Sequence, residues 1–267
     1  MCPPDYFDVE YVINPWMHGH LRSADHQLAG QQWTRFHSLL SECAEVSLMP
    51  AVSGLPDLVF TANAALVHKQ TAVLSSFRCP ERQPEAQHYA DWLAADGFAV
   101  KTLPAGTLFE GAGDALFDRG NNGLLWLGYG FRSNAAVVRH IEESIGVPIQ
   151  LLRLCDPRFY HLDTCFCPLE QGFLLYYPAA FDAESNAAIE TRVSPDHRFA
   201  VSEEDAIHFA CNAVNIGHKV ILNHASPELE QWLIARGFSV IQTRVSEFMK
   251  AGGSTKCLSL RLDEGCV

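Results

Sequence analysis

Hydrophobic positions recur every three or four residues in four segments of this chain, and each segment ends at a glycine. The segments cover residues 84–96, 133–145, 202–216 and 226–236, and the glycines are Gly97, Gly146, Gly217 and Gly237. This periodicity predicts amphipathic helices, because glycine favours the left-handed conformation that commonly ends a helix. Ser202, with Asp205 three residues later, has the pattern of a capping box, and proline follows Ser226 in the first helical turn.

Each of these glycines leads directly into a strand-like run, at residues 98–100, 147–149, 219–222 and 238–241. Further strands are predicted at 6–13, 65–67, 72–74, 124–127, 173–177 and 258–262, and a fifth helix at 26–42. The elements form a repeated β-β-α-β unit, and five such units in an α/β fold would close on one another like a propeller. Residues 181–201 are predicted to be a surface loop. No linker divides residues 1–267, so we expect one domain.

The composition limits the classes of function. Of 267 residues, 48% are hydrophobic, which is sufficient for a globular core. The chain has 19 Lys and Arg against 31 Asp and Glu, so no nucleic-acid partner is expected, since such a partner requires a basic surface. No basic segment followed by an apolar one opens the chain, and no apolar run is long enough to cross a bilayer. We therefore expect a cytoplasmic protein with no membrane partner. Nine cysteines, an odd number, then indicate reduced thiols.

One of these cysteines, Cys257, lies between the flexible Gly252-Gly253-Ser254 segment and an alternating run that begins at Leu258. Glycine lets the backbone approach a ligand closely, and a strand would hold the thiol on a rigid edge. This position suits a nucleophile, but cysteine is also a common core residue. Only partners elsewhere in the chain can distinguish the two interpretations. The segment lacks the spacing of a phosphate-binding loop.

Candidate partners are polar residues at the predicted strand ends. His161 and Asp163 are two residues apart and share one face of the chain if it is extended. Glycines that allow close backbone approach separate two further acids. The other candidates are Glu110, Asp114, Asp57, Asn63, Arg82 and Arg132. A histidine is often only structural, and Arg82 with Glu85 is equally a pair on a helix surface.

A metal site and a dinucleotide-binding site are the two other kinds of site that these motifs could suggest. Cys165 and Cys167 follow His161 closely and would point to one face of a strand. Their spacing does not match that of zinc sites and no second pair follows, so the preferred interpretation is two small core residues and no metal. Gly111 and Gly113 lack the preceding strand and following helix of a dinucleotide-binding motif.

The order of the motifs resembles that of the guanidine-modifying enzymes, which include arginine deiminases, dimethylarginine hydrolases, amidinotransferases and dihydrolases. The resemblance covers residues 6–262. It rests on NPWM at 14–17, PDLVFTANAA at 56–65, FEGAGD at 109–114, HLDT at 161–164 and GGSTKC at 252–257, with arginines at 82 and 132. It implies the pentein fold, a fivefold pseudosymmetric α/β propeller of ββαβ repeats with its active site on the axis.

The resemblance also implies roles for individual residues. Cys257 is expected to be the nucleophile and His161 the general acid and base. Glu110 and Asp163 are the carboxylates around the guanidinium and the histidine. The expected substrate-binding residues are Arg82 and Arg132, as a clamp on the α-carboxylate, together with Asn63, Asp57, Asn14 and Asp114.

These residue types fit the hydrolysis of a guanidinium group. The cation is stabilised by resonance, so its carbon is a poor electrophile and attack requires a thiolate. Carboxylates fix the planar cation through paired hydrogen bonds. Histidine protonates the departing ammonia and then activates water. This chemistry requires no metal ion and no organic cofactor.

Asn63 distinguishes between reactions within this group. Deiminases and dimethylarginine hydrolases characteristically have aspartate here, whereas TANAA at residues 61–65 resembles the arginine and succinylarginine dihydrolases. A carboxylate cannot donate to the carbonyl of the neutral ureide formed by one hydrolysis, but a carboxamide can. We therefore expect hydrolysis of L-arginine at two C–N bonds, giving ornithine, two ammonia and carbon dioxide.

Four alternatives stay open. An arginine deiminase or dimethylarginine hydrolase would stop at citrulline. A succinylarginine dihydrolase is disfavoured because chains of that family are much longer. A propeller without catalytic activity could bind and sense an amino acid, and a metal-binding protein could use His161, Cys165 and Cys167. A homo-oligomer is compatible with each of these.

Overall fold

The structure, a computed structural model, describes residues 1–120 and 123–264. No helix in these residues is long and apolar enough to cross a membrane. In chain order the regular elements are α1 (His26–Ser41), β1 (Ala65–His68), β2 (Thr71–Leu74), α2 (Glu85–Ala95), β3 (Ala99–Lys101), β4 (Ala115–Phe117), β5 (Leu125–Tyr129), α3 (Val138–Ile145), β6 (Ile149–Arg153), β7 (Phe166–Leu169), β8 (Phe173–Tyr176), α4 (Ala183–Arg192), β9 (Arg198–Ala200), α5 (Glu203–Ile207), β10 (Val214–Ile216), β11 (Lys219–Leu222), α6 (Pro227–Ile234), β12 (Ser239–Gln242) and α7 (Ser246–Met249).

One unit recurs four times in this mixed α/β fold. In the first sheet β1 pairs antiparallel with β2, with Leu66 opposite Val73, and β2 pairs parallel with β3, with Ala72 opposite Val100. The sheets β4–β5–β6, β7–β8–β9 and β10–β11–β12 have the same order and directions. A parallel pair needs a crossover connection, which α2, α3, α4 and α6 supply. The predicted β-β-α-β repeat is therefore confirmed in four units.

The fifth predicted unit has its helix, α1, but not its strands. The predicted strands at 6–13 and 258–262 are wrong, because these segments join no sheet in the described chain. Phe7 and Val9 are buried, whereas Tyr6 and Val12 are exposed, so the alternation in the sequence reflects burial and not a hydrogen-bonded ladder. Both segments pack with α1 and α7 in one apolar cluster that includes Phe7, Val9, Phe36, Phe248, Cys257 and Leu258.

The predicted helix at 202–216 is also wrong. The capping box at its start is present, with Asp205 N donating to Ser202 Oγ at 3.0 Å. However, α5 ends at Ile207, and Phe209 adopts a left-handed φ of 59° that turns the chain. Gly217, with a φ of 54°, therefore forms the hairpin turn between β10 and β11 and does not end a helix. The predicted loop at 181–201 in fact contains α4 and β9.

The largest apolar cluster joins the second, third and fourth units. Trp126, Phe166, Leu175 and Leu222 are fully buried in it, and each such side chain contributes about 1.5–3 kcal/mol relative to exposure. The pair at 165 and 167 also lies in this cluster. The eight cysteines of the described residues are all free thiols.

Short turns precede the first strand of three units, at Thr61–Asn63 before β1, Gly111–Gly113 before β4 and Leu162–Thr164 before β7. The first turn packs on the second and the second on the third. In the fourth unit the segment between α5 and β10 has the same place in the chain. The fold therefore brings together the residues that lie just before the first strand of each unit.

Candidate active site

Hydrogen bonds join each of these converging segments to the next. Ala62 N donates to Cys257 O at 3.1 Å, and Asn63 Nδ2 donates to Glu110 O at 3.4 Å. The carboxylate Oε2 of Glu110 lies 2.7 Å from His161 Nε2. The loop that carries the thiol and the first three units are therefore in direct contact.

The side chain of Asn212, in the fourth unit, connects the third unit to the loop that carries the thiol, so that these contacts form a closed ring. Asn212 Nδ2 donates to Asp163 O at 3.0 Å and to Cys257 Sγ at 3.1 Å. Five segments, four of them placed before a first strand, thus surround one centre. The sequence indicates most of these residues individually, and the structure brings them together.

The thiol of Cys257 is buried, and its surroundings favour the protonated form. Burial raises the pKa of this thiol well above its ordinary value, and the neighbouring Asp163 raises it further. Asp163 Oδ2 is 3.5 Å from the sulfur. Hydrogen bonds from the Ser254 backbone and from Asn212 act in the opposite direction. A cation entering the site would favour the thiolate.

The two glycines before Cys257 leave no room for side chains. A Cβ on Gly253 would lie 2.5 Å from Phe60 Cε1 and 3.1 Å from the Cβ of Cys257. Gly252 has a φ of 86°, and its Cβ would lie 2.8 Å from the hydroxyl of Tyr160. The two glycines therefore allow this backbone to pack closely against Phe60 and Tyr160, whereas the predicted close approach to a ligand stays a prediction.

Glu110 is the most strongly paired carboxylate of the site. Arg132 Nη1 donates to its Oε2 at 3.1 Å, and Arg78 N donates to its Oε1 at 3.1 Å. Burial alone would raise the pKa of Glu110, but Arg132 and His161 outweigh it and hold that pKa well below the ordinary value. Glu110 is therefore ionised at neutral pH and fixes the ring of His161.

Two other acids each have an oxygen that accepts no hydrogen bond from the described residues. Asp163 Oδ1 and Asp57 Oδ1 are buried and have no hydrogen-bond partner in residues 1–120 and 123–264. Burial raises the pKa of Asp163 to about 7, although Lys256 lowers it. Burial also raises the pKa of Asp57, against the effect of Arg82. Each orphaned oxygen is an acceptor for a bound cation.

Arg82 is not a surface residue of a helix. It is 3% exposed and Glu85 is fully buried, and its Nε and Nη2 donate to the two Glu85 oxygens at 2.9 and 2.8 Å. Its Nη1 donates to Asn63 Oδ1 at 2.8 Å. This contact orients the amide, so the NH₂ group of Asn63 faces Glu110 O and has one N–H left for a ligand.

A small cavity of about 10 Å³ lies between these groups, and its lining residues are Ile13, Asn14, Asp57, Phe60, Asn63, Arg82, Arg132, Tyr160, Ala251, Gly253 and Cys257. That volume accommodates about one water molecule. Six of the ten predicted site residues line the cavity, and Glu110, His161 and Asp163 lie directly behind its wall through the contacts described above. A separate cavity of 620 Å³ is lined by none of the ten.

Asn14 and Asp114 differ in position. Asn14 lines the cavity, and its Nδ2 donates to Ala251 O at 3.0 Å. Asp114 does not line it. The oxygens of its side chain instead accept hydrogen bonds from Ser133 Oγ at 2.6 Å and from Leu162 N at 3.0 Å. The geometry favours a structural role for Asp114 in holding the chain next to His161.

Asn212 and Tyr160 are site residues that the sequence did not indicate. Asn212 falls within the segment incorrectly predicted to be helical, which concealed it. One signal could have revealed it: it stands two residues before β10, as Asn63 stands two before β1. Tyr160 donates from its hydroxyl to Gly252 O at 2.9 Å and stacks on Arg132. No motif marked it.

No side-chain set in the described residues is arranged as a metal site. Groups of three or more His, Cys, Asp or Glu side chains with suitable geometry do not occur there. The ring of His161 is engaged with Glu110, and Cys167 Sγ donates to Ala213 O at 3.6 Å.

Comparison with known proteins gives the class. The family described as "N,N dimethylarginine dimethylhydrolase, eukaryotic" matches residues 19–262. The bifunctional arginine dihydrolase/ornithine cyclodeaminase ArgZ of Synechocystis is 51% identical over 264 residues, which are 99% of this chain and 37% of that protein. The chain therefore spans little more than a third of the length of that relative.

Solved structures agree with the sequence relatives. The N-terminal domain of ArgZ, an arginine dihydrolase from the ornithine-ammonia cycle in cyanobacteria, was solved with substrate bound. It superposes with a TM-score of 0.98 at 50% identity, over 99% of this chain and 97% of that one. A variant of the same domain covalently bound to a reaction intermediate has a TM-score of 0.97 at 50% identity, over 99% and 97% of the two chains.

The fold and these relatives place the chain in the guanidino-modifying superfamily. Within that class, the chain belongs to the dimethylarginine dimethylhydrolase family, and it is similar to the arginine dihydrolase domain of ArgZ.

Proposed function

We propose that this protein hydrolyses L-arginine at two C–N bonds, consuming two waters and releasing ornithine, two ammonia and carbon dioxide. The observation that carries the proposal is the neutral carboxamide of Asn63 in the cavity that contains the thiol of Cys257. It occurs in a chain that superposes over its whole length on the arginine dihydrolase domain of ArgZ.

Substrate binding uses the groups that the protein leaves incompletely paired. The guanidinium lies against the orphaned oxygens of Asp57 and Asp163, which supply charge and acceptors in a site that excludes water. Arg82 and Arg132 face the α-carboxylate, and Asn14 completes the wall. Because the cavity holds about one water molecule, some of its lining residues have to move for arginine to enter.

The first half of the reaction produces citrulline. The arriving cation favours ionisation of Cys257, whose sulfur attacks the guanidinium carbon. His161, oriented by Glu110, protonates the departing nitrogen, and ammonia leaves a thiouronium on the sulfur. His161 then takes a proton from water, the hydroxyl adds to the same carbon, and the C–S bond breaks.

The second half requires the neutral ureide to stay bound. The free N–H of Asn63 donates to the ureide carbonyl, because Arg82 already occupies the amide oxygen. Cys257 attacks again, a second ammonia leaves, and water releases a carbamate that dissociates into ornithine and carbon dioxide. An aspartate at this position would present only acceptors to that carbonyl.

We also propose that residues 1–267 form one domain with the fivefold propeller arrangement of the pentein fold. The closed ring of hydrogen bonds from Ala62 through Asn212 to Cys257 supports five segments around one axis. The segments before α1 and after α7 would form the fifth unit. Cytoplasmic location and homo-oligomer formation stay predictions.

The test is the product ratio. The wild-type chain should release two ammonia and one ornithine per arginine, whereas Asn63→Asp should accumulate citrulline with one ammonia. Asn223→Asp, which changes an asparagine outside the cavity, is the matched control and should keep the wild-type ratio. An unchanged ratio in Asn63→Asp would exclude the assigned role, and citrulline as the final wild-type product would exclude the second hydrolysis.

The second candidate is an enzyme that stops after one hydrolysis, as a deiminase or dimethylarginine hydrolase does. The family match over residues 19–262 favours it. Supplying N,N-dimethylarginine and measuring dimethylamine and citrulline separates this reaction from the first.

A further inference from the structure

Asn212 is held in a turn that the local sequence does not favour. After α5 ends, Phe209 adopts a left-handed φ of 59°, a conformation that is uncommon and strained for a bulky residue. The ring of Phe209 packs on Trp16 at 4.6 Å between centroids, and Asn212 N donates to Phe209 O at 2.9 Å. The turn directs the fully buried side chain of Asn212 to the thiol loop.

The carboxamide of Asn212 uses all of its hydrogen-bonding groups. Its Oδ1 accepts from Ser254 N and Cys257 N, both at 3.1 Å. Its Nδ2 donates to Asp163 O at 3.0 Å and to Cys257 Sγ at 3.1 Å. An amide has two donors and two acceptor positions. Because two backbone N–H groups face Oδ1, the amide cannot be reversed, and its NH₂ group must face the sulfur.

Asn212 therefore acts on Cys257 in two ways. It fixes the backbone of the segment from Ser254 to Cys257, and it donates to the sulfur. In the described chain it is the one side chain that donates a hydrogen bond to Cys257 Sγ. A donor stabilises a thiolate more than a thiol.

We propose that Asn212 is a positioning residue that fixes the nucleophile loop and stabilises the charged form of Cys257. The proposal rests on the proposed function, because it takes Cys257 as the nucleophile. Asn212 lies outside the lining of the cavity, so it acts through Cys257 and does not contact the substrate.

The test measures the reactivity of the Cys257 thiol in the absence of substrate. Asn212→Ser adds no charge and shortens the side chain, which moves its remaining donor away from the sulfur, and Asn212→Asp keeps the shape but turns an acceptor toward the sulfur. The rate at which iodoacetamide alkylates Cys257 is measured by mass spectrometry of its peptide at fixed pH values from 7 to 9, where the rate is proportional to the thiolate fraction. The titratable groups that face this sulfur, Asp163, Lys256 and Tyr160, are unchanged in both variants.

We expect the alkylation rate at a fixed pH to fall about tenfold in Asn212→Ser, equivalent to about one pH unit in the thiol, and further in Asn212→Asp. The kcat for arginine should fall about 10- to 100-fold, as for a lost hydrogen bond to a charged group, with KM changed less than about threefold. A purely structural role would make Asn212→Asp the milder variant. Asn215→Asp, a buried asparagine whose amide bonds Gly217 O and Lys219 O, is the matched control.

Unchanged alkylation rates at fixed pH in the folded variants would overturn the proposal. If the buried charge prevents Asn212→Asp from folding, Asn212→Ser alone decides it, with folding checked by circular dichroism. Alkylation needs no turnover. Failure of the wild-type chain to produce ornithine would therefore reject the second hydrolysis and leave the role of Asn212 to be judged on the thiol.

Discussion

Two buried carboxylates of the site, Glu110 and Asp163, have pKa values shifted in opposite directions. Both are at most 1% exposed. Glu110 lies 3.1 Å from Arg132 and 2.7 Å from His161, and these groups hold its pKa well below the ordinary value. The carboxylate of Asp163 has a thiol beside it and an oxygen without a partner, and burial raises its pKa to about 7.

The difference shows how charge is divided across the site. The negative charge of Glu110 is compensated by protein groups, Arg132 and His161, and needs no ligand to balance it. Near Asp163 and Asp57 the protein's own cations, Lys256 and Arg82, do not outweigh burial, and a guanidinium group would add the missing positive charge. Burial is the same on both sides, so the partners and not the desolvation decide the sign of the shift.

The largest expected effect comes from making Glu110 neutral. Glu110→Gln leaves Arg132 buried without its charged partner and releases His161. We expect the free energy of unfolding to fall by about 3–5 kcal/mol and kcat to fall about 10²–10³-fold. Urea unfolding and steady-state assays measure the two effects. Glu143→Gln breaks an exposed pair with Arg139 and should change neither quantity.

Asp163→Asn should change how stability depends on pH. A raised carboxyl pKa stabilises the fold fully below the unfolded value of about 3.8, and this contribution is lost as pH rises through about 7. The asparagine variant does not titrate. Between pH 5 and 8 its stability should therefore increase relative to wild type by roughly 3 kcal/mol. A difference that is constant with pH in urea titrations would contradict the assigned shift.

Asp57→Asn gives the smallest of the three effects. It removes the charge next to the cavity but keeps an acceptor for the hydroxyl of Tyr11, which donates to Asp57 Oδ2 at 3.0 Å. We expect KM for arginine to rise about 10- to 100-fold, as for a lost charged hydrogen bond. Tyr11→Phe keeps the carboxylate and should change KM less than about threefold. Equal effects in both variants would contradict direct binding.

The sequence predicts the repeated units well because each depends on local signals. Helices α1, α2 and α6 have their expected extent within two residues at each end, and Gly97, Gly146 and Gly237 follow helices with positive φ. The failures arise where distant contacts override the local pattern. The left-handed backbone of Phe209 ends α5 early. The alternation at residues 6–13 records burial against α1 and α7 and carries no information about strand pairing.

The site residues also fall into two groups, those that local motifs predict and those that only the tertiary fold brings together. Cys257, His161, Glu110 and Asn63 stand in motifs whose order resembles a family, so their convergence could be expected from sequence. The partners that complete their chemistry could not. Glu85 looks like a surface acid until Arg82 is found buried against it, and Asn212 is 45 residues from the sulfur that it contacts. Such pairings depend on the tertiary fold, which the pattern along the chain does not encode locally.

The burial of Cys257 also concerns the lifetime of the protein. Peroxide and other oxidants react with thiolates and only slowly with thiols. A sulfur that stays protonated until a cation arrives is therefore protected while the protein is idle. We therefore expect oxidants to modify Cys257 only slowly in the protein without a bound cation.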